Sequence, residues 1–120
     1  MIQSFKDLDT WKQGHKLVLM VYKVTSSFPK AETYSLIDQM RRAVVSITSN
    51  VAEGFGRQGL KEKIQFLYLA LGFCYELENQ ILVAKDLGYM AAGICEEVEN
   101  QIQNVSRLIN GFIRSLKTNF

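Results

Sequence analysis

The sequence predicts an all-α protein, an antiparallel up-down-up-down four-helix bundle, and three observations lead there. Four segments repeat apolar residues at every third or fourth position, the period of an amphipathic helix. The breaks between them are short, and short connections place consecutive helices antiparallel. No stretch alternates apolar and polar residues as a strand does, and a single proline, Pro29, interrupts 120 residues. At this length one hydrophobic core is expected, a single domain over residues 1–120.

The first helix is expected from about Asp9 to Ser27, with Asp7 or Asp9 as its N-cap. Trp11, His15, Val18, Tyr22 and Thr25 form its inward stripe, and Phe28-Pro29 ends it, because proline disfavours helical geometry at the preceding residue. The second starts after Ser35, with Asp38 three residues on as a loose capping box. Leu36, Met40, Ala43, Ile47 and Val51 form its stripe, and the glycine-rich stretch Gly54 to Gly59 ends it. The third, about Leu60 to Leu87, buries Ile64, Leu67, Leu71, Cys74, Leu77, Ile81 and Ala84, with Gly88 as a left-handed C-cap. The fourth, about Ala92 to Lys117, turns Ile94, Val98, Ile102, Val105, Ile109, Phe112 and Leu116 inward.

The third helix also carries Phe66, Leu69, Phe73 and Leu82 outside its seam, with Tyr68 and Tyr75 nearby. A helix apolar on more than one face is buried on more than one side. A second copy of the chain is the simplest extra partner, so a homo-oligomer is expected.

Composition narrows the function classes. Hydrophobic residues make up 48% and charged residues 22%, which is globular rather than disordered. No apolar run approaches the ~20 residues of a membrane span, and Met1 to Lys6 carries no secretory pattern. A cytoplasmic protein with no membrane partner is the expectation. Cys74 and Cys95 lack metal-binding or redox spacing and read as reduced, buried thiols. The net charge of +2 is small, but its distribution is uneven. Residues 1–75 hold ten basic and six acidic side chains, residues 76–99 one and six, and residues 100–120 three and none.

Several motifs resolve to structural roles. Gly54-Phe55-Gly56-Arg57-Gln58-Gly59 has the glycine spacing of a dinucleotide loop, but that loop requires a preceding buried strand. Here a helix precedes it, so it is a helix-to-helix turn. Di-metal bundles need two Glu-x-x-His pairs. One histidine, His15, and no such pair imply no metal, and no cofactor motif is present. No nucleophile–base pattern identifies a catalytic residue, so the chain reads as a non-enzyme.

Gln39, Arg42, Ser46, Asn50, Glu53 and Arg57 fall on one face of the second helix. With Glu76 and Glu78 of the third helix, they are expected to form a structural polar network of interhelical ion pairs, for example Arg42 to a third-helix glutamate. Lys12, Lys16, Arg41, Arg57, Lys61 and Lys63 are the candidate contacts to RNA or DNA. Oligomer symmetry repeats each patch and so strengthens a modest field. The acidic surface at Glu96, Glu97 and Glu99 is the alternative, an adaptor for a protein partner.

The string Phe5-x-x-Leu8-x-x-Trp11, Val21-Tyr22 and Phe28-Pro29 leads into Gln39-x-Arg41-Arg42-Ala43. It continues through Ser46-Ile47-x-x-Asn50-Val51-Ala52-Glu53-Gly54, Phe66-Leu67-x-x-Ala70-x-Gly72 and Glu76-Leu77-Glu78. These residues resemble the four-helix bundle family encoded by intervening sequences in bacterial 23S rRNA genes, from Phe5 to about Tyr89. The resemblance implies an up-down bundle that assembles into a ring, commonly a homopentamer. It also implies a likeness in fold to the accessory protein of diversity-generating retroelements, which binds nucleic acid and a reverse transcriptase through a basic surface. Thr48 replaces a frequent proline, implying a straighter second helix. Gly59 replaces a Ser/Thr cap, and Phe73 a small residue.

Overall fold

The computed structural model describes residues 1–118. Helices α1 (Asp9–Thr25), α2 (Leu36–Gly56), α3 (Leu60–Asp86) and α4 (Ala92–Thr118) follow one another, with 3-10 turns at Phe5–Asp7 and Lys30–Glu32. No strand occurs among the described residues.

Contacts along each helix pair set the up-down-up-down topology. Thr25 of α1 meets Arg41 of α2, Gly14 meets Thr48, and Phe5 lies beside Ser49, Glu53 and Arg57, so α1 and α2 run in opposite directions. Glu78 of α3 meets Gln103 of α4 and Tyr68 meets Lys117. Gln13 of α1 meets Gln101 and Asn104 of α4, while Met20 and Val24 lie against Ile94. The bundle measures 47 × 25 × 22 Å.

The core is continuous from end to end, and Leu17, Met40, Ile47, Leu67, Leu77, Ile81, Ile102 and Ile109 are shielded from solvent. Removing one such side chain to Cβ costs roughly 2–5 kcal/mol, because the cavity left behind only partly closes. In α2 every residue of the expected stripe is buried. In α3 the seam from Leu67 to Ala84 is buried, while Ile64 and Leu71 are half-buried.

Helix α1 departs from expectation by a rotation of about one residue. Its buried positions are Thr10, Gly14, Leu17, Val21 and Thr25, whereas Trp11 and Val18 are half-buried and His15 and Tyr22 exposed. The reason is close approach to α2: a Cβ at Gly14 would lie 2.9 Å from Thr48 Cγ2, so the helices meet at the glycine. Trp11 instead covers the bundle edge, packing edge-on against Phe5 at 5.3 Å and stacking on His15 at 4.8 Å. In α4, Ile94 is exposed and Phe112 and Leu116 half-buried, and Cys95, Gln101 and Ile113 take inward places.

The helix ends correct two capping expectations. Asp7 caps the preceding 3-10 turn and not α1: its carboxylate accepts from the Gln3 and Ser4 N–H groups at 2.9 and 3.1 Å. Leu8, which has no capping side chain, precedes α1. Ser35 does not cap α2; Glu32 accepts from the Ser35 hydroxyl at 3.0 Å and from the Leu36 N–H at 3.4 Å. Beyond α3, Gly88 is left-handed at φ 80°, with Tyr89 N–H bonded to Ala84 O and Gly88 N–H to Lys85 O. Those paired bonds satisfy orphan carbonyls at the helix end, as the sequence leads one to expect.

Candidate functional site

The six candidate basic residues do not form one face. Lys12 of α1, Arg57 at the end of α2, and Lys61 and Lys63 at the start of α3 occupy the same end of the bundle, since these helices alternate in direction. Arg41 lies sixteen residues before Arg57, about 24 Å away along the helix. There its Nε donates to the Thr25 hydroxyl at 2.9 Å and its Nη2 to the Tyr22 carbonyl at 3.3 Å, with the guanidinium 4.6 Å from the Tyr22 ring centre. This arginine ties α2 to the C-terminal turn of α1. Lys16 lies in a separate groove between α1 and α4, beside Glu97 and Arg107.

Two of the four at the shared end are also engaged. Arg57 pairs with Glu53 at 2.9 Å and lies over the Phe66 ring at 4.7 Å. Lys63 Nζ donates to the Phe55 carbonyl at 2.8 Å, satisfying an acceptor at the C-terminus of α2. Lys12 and Lys61 are exposed and make no ion pair among the described residues. Lys6, Arg114 and Lys117 join them at this end, against Asp7, Asp9, Glu53 and Glu62. Antiparallel pairing brings Arg114 and Lys117, at the C-terminal end of α4, beside the start of α3, where Lys117 Nζ donates to the Tyr68 hydroxyl at 2.9 Å. Glu96, Glu97 and Glu99 lie toward the opposite end.

The ion pairs and hydrogen bonds of the α2 polar stripe stay within its own helix. Arg42 pairs with Asp38 at 3.0 Å, not with a glutamate of α3, and is 79% exposed. Asn50 donates to the Ser46 carbonyl at 2.7 Å, and Glu53 holds Arg57. Of the two α3 glutamates, Glu76 is exposed, and Glu78 accepts from Gln103 of α4. Each group takes its nearest partner because pairs four residues apart on one helix meet without any interhelical adjustment. The interhelical polar contacts lie elsewhere: Gln101 is buried and donates to the carbonyl and side chain of Gln13, at 2.9 and 3.0 Å.

Among the described residues, Glu53 and Glu76 line separate open grooves and Arg42 lines neither. The groove at Glu53 is open and lined by Phe5, Ser49, Ala52, Gly56 and Arg57. Burial pushes the Cys74 thiol up to about 11, against a hydrogen bond from Ser106 that favours the thiolate. Burial likewise raises the Cys95 thiol. Both stay protonated and poorly nucleophilic at neutral pH. Among the described residues no three His, Cys, Asp or Glu side chains gather as metal ligands, and no helix is long and apolar enough to cross a membrane.

On its outer side α3 presents Leu69, 49% exposed, with Tyr68, Gly72 and Phe73 around it and Glu76 at the rim. Tyr75, 73% exposed, lies further along the same helix.

Fold and surface together define a four-helix bundle protein with charged ends and one helix apolar beyond its seam. The sequence pattern of the 23S rRNA-intervening sequence protein family matches residues 6–111, and the chain belongs to that family. A solved structure of unknown function, from the S23 ribosomal protein family of Bacteroides thetaiotaomicron, is similar in fold. It has a TM-score of 0.78 and 19% identity, over 87% of this chain and 97% of that one. Comparison with curated proteins gives no match.

Proposed function

We propose that the chain is a non-enzymatic, self-associating scaffold whose basic end contacts the phosphate backbone of RNA or DNA. The observation that carries this reading is the meeting of Lys12 and Lys61, exposed and in no ion pair among the described residues, with Arg57, Lys63, Arg114 and Lys117 at one end of the bundle. Self-association is supported by Leu69, Tyr68 and Phe73 on the outer side of α3, a face that a second copy would cover. The family resemblance implies a homopentamer, and a ring would present the basic end once per subunit.

The test is fluorescence anisotropy of labelled single-stranded RNA and duplex DNA, titrated with the protein at low and moderate salt. Phosphate contacts release counterions, so affinity should fall steeply as salt rises. Lys12→Glu with Lys61→Glu should weaken binding to all sequences and reduce the salt slope by about 1 for each phosphate no longer neutralised. Absent or salt-insensitive binding overturns the reading. Sedimentation of Leu69→Lys tests the assembly separately: the wild type should sediment as an oligomer and the variant as a smaller species.

A second reading, a protein adaptor, is favoured by the groove between α1 and α4. Met20, Val24, Met90 and Ile94 line it, and Glu97 stands at its edge. Such a groove suits the apolar face of a partner helix. A partner that co-purifies after nuclease treatment, and is lost on Ile94→Asp, would replace the first reading with this one.

A further inference from the structure

We infer that the cleft between α3 and α4 binds a nucleotide unit, its phosphate held by Arg107 and Arg114 and its base laid on Tyr75. The inference goes beyond the basic-end contact: it shares only Arg114 with that end and concerns the face between α3 and α4.

The chain has five arginines. Three have settled roles: Arg41 bonds to Thr25 and Tyr22, Arg42 pairs with Asp38, and Arg57 with Glu53. The other two, Arg107 and Arg114, have no carboxylate partner among the described residues, and both line the same cleft. Arg107 stands on the ridge between this cleft and the α1–α4 groove, its guanidinium donating to a neutral group, the Asn104 side-chain oxygen, at 2.6 Å. The one carboxylate in the opposite wall, Glu78, is taken by the Gln103 amide. The cleft therefore holds two guanidinium groups against one occupied carboxylate.

Arg107, Asn110 and Arg114 are spaced by three and four residues and share one face of α4. Seven residues separate the arginines by about 10.5 Å along the axis. Their long side chains can converge on one anion beside Asn110, which adds an amide donor. The planar fork of arginine matches phosphate oxygens in pairs, which favours phosphate over a halide or an isolated carboxylate. Across the cleft, Tyr75 is 73% exposed, an aromatic face left open at the rim. Aromatic rings in that position stack bases with little regard to sequence. The cleft volume of about 400 Å³ lies within the range of small-ligand sites.

The experiment uses the full chain and NMR of the arginine Nε–H and asparagine amide signals, titrated with AMP, UMP, adenosine and inorganic phosphate. AMP and UMP should shift the signals of Arg107, Asn110 and Arg114. Adenosine and inorganic phosphate should each bind at least tenfold more weakly than AMP. Arg107→Gln and Arg114→Gln, both helix-compatible and exposed, should each weaken AMP at least tenfold, and Tyr75→Ala severalfold, with the melting temperature unchanged. The Lys12→Glu, Lys61→Glu variant should bind AMP as the wild type does, which separates this site from the basic end. A single-stranded tetranucleotide that displaces AMP assigns the site to a strand, and one that does not assigns it to free nucleotides. No shift at millimolar AMP and UMP, equal binding of inorganic phosphate and AMP, or shifts indifferent to both arginine variants would overturn the inference.

Discussion

Gly14 of α1 and Thr48 of α2 meet with no room for another carbon: a Cβ at Gly14 would lie 2.9 Å from Thr48 Cγ2. This contact turns α1 so that Leu17 and Val21, rather than Trp11 and Tyr22, enter the core. Thr48 itself continues the helix, its hydroxyl bonded to the Val45 carbonyl at 3.0 Å.

Replacing Gly14 with Ala adds helix propensity of about 1 kcal/mol but forces an overpacked contact costing about 1–3 kcal/mol. The overpacking term wins, and Gly14→Ala should lower the urea midpoint. In a Thr48→Ser background, which removes Cγ2 and keeps the hydroxyl, the same change should become stabilising. A double-mutant cycle reads the sign reversal; equal effects in both backgrounds would show that the helices move apart without cost.

Arg41 is a structural tie. Arg41→Ala breaks two hydrogen bonds and a cation–π contact between α1 and α2. A loss of about 1.5–3 kcal/mol is expected from the charged hydrogen bonds alone. Thermal unfolding should show that loss, whereas Lys12→Ala should leave the midpoint within error. In nucleic-acid titrations the order should reverse, with Lys12→Ala changing the salt slope and Arg41→Ala leaving it.

Glu32 and Tyr89 close the end opposite the basic one, the Tyr89 hydroxyl donating to Glu32 Oε2 at 2.8 Å. Hydrogen bonds from Tyr89, then Ser35, then the Leu36 N–H hold the Glu32 carboxyl below its usual 4.5. A depressed carboxylate contributes stability above its unfolded value and loses it as pH falls through the folded one. The protein should therefore weaken on acidification below about pH 4.5, and Tyr89→Phe should flatten that limb. Urea midpoints across the acid range, compared between wild type and Tyr89→Phe, measure it; parallel curves would remove the coupling.

Cys74 and Cys95 are buried, with thiols raised above their usual range. A colorimetric disulfide reagent should label neither in the native protein at neutral pH on the timescale of minutes, and both in denaturant. Fast native labelling of Cys74 would mean that the α3–α4 cleft opens.

Much of the fold is legible in the residues one after another. The C-terminal ends of α2 and α3 follow from the Gly54–Gly59 stretch and Gly88, because turns are decided within a few residues of backbone, whereas the cap expected of Ser35 is supplied by Glu32. The candidate site is less legible. Arg42 and Glu53 look like partners for α3, yet each finds an opposite charge four residues away on α2. Lys117, expected only as the end of the fourth helix, meets Tyr68 across the bundle. The pair Arg107 and Arg114, in no ion pair among the described residues, emerges only when the other arginines have been given their partners.

By itself the sequence determined that four helices form, roughly where each begins and ends, that their apolar stripes suffice for one core, and that α3 carries apolar surface beyond it. Those properties follow from a period of 3.6 residues and from local turn chemistry. Only the tertiary structure decided which edge of α1 faces inward, which cations remain free, and which residues share an end. The apolar period sets the width of a stripe, but its rotation depends on how closely neighbouring helices approach, here at Gly14 and Thr48. The partner of a long charged side chain depends likewise on the nearest group in space, which spacing along one helix does not reveal.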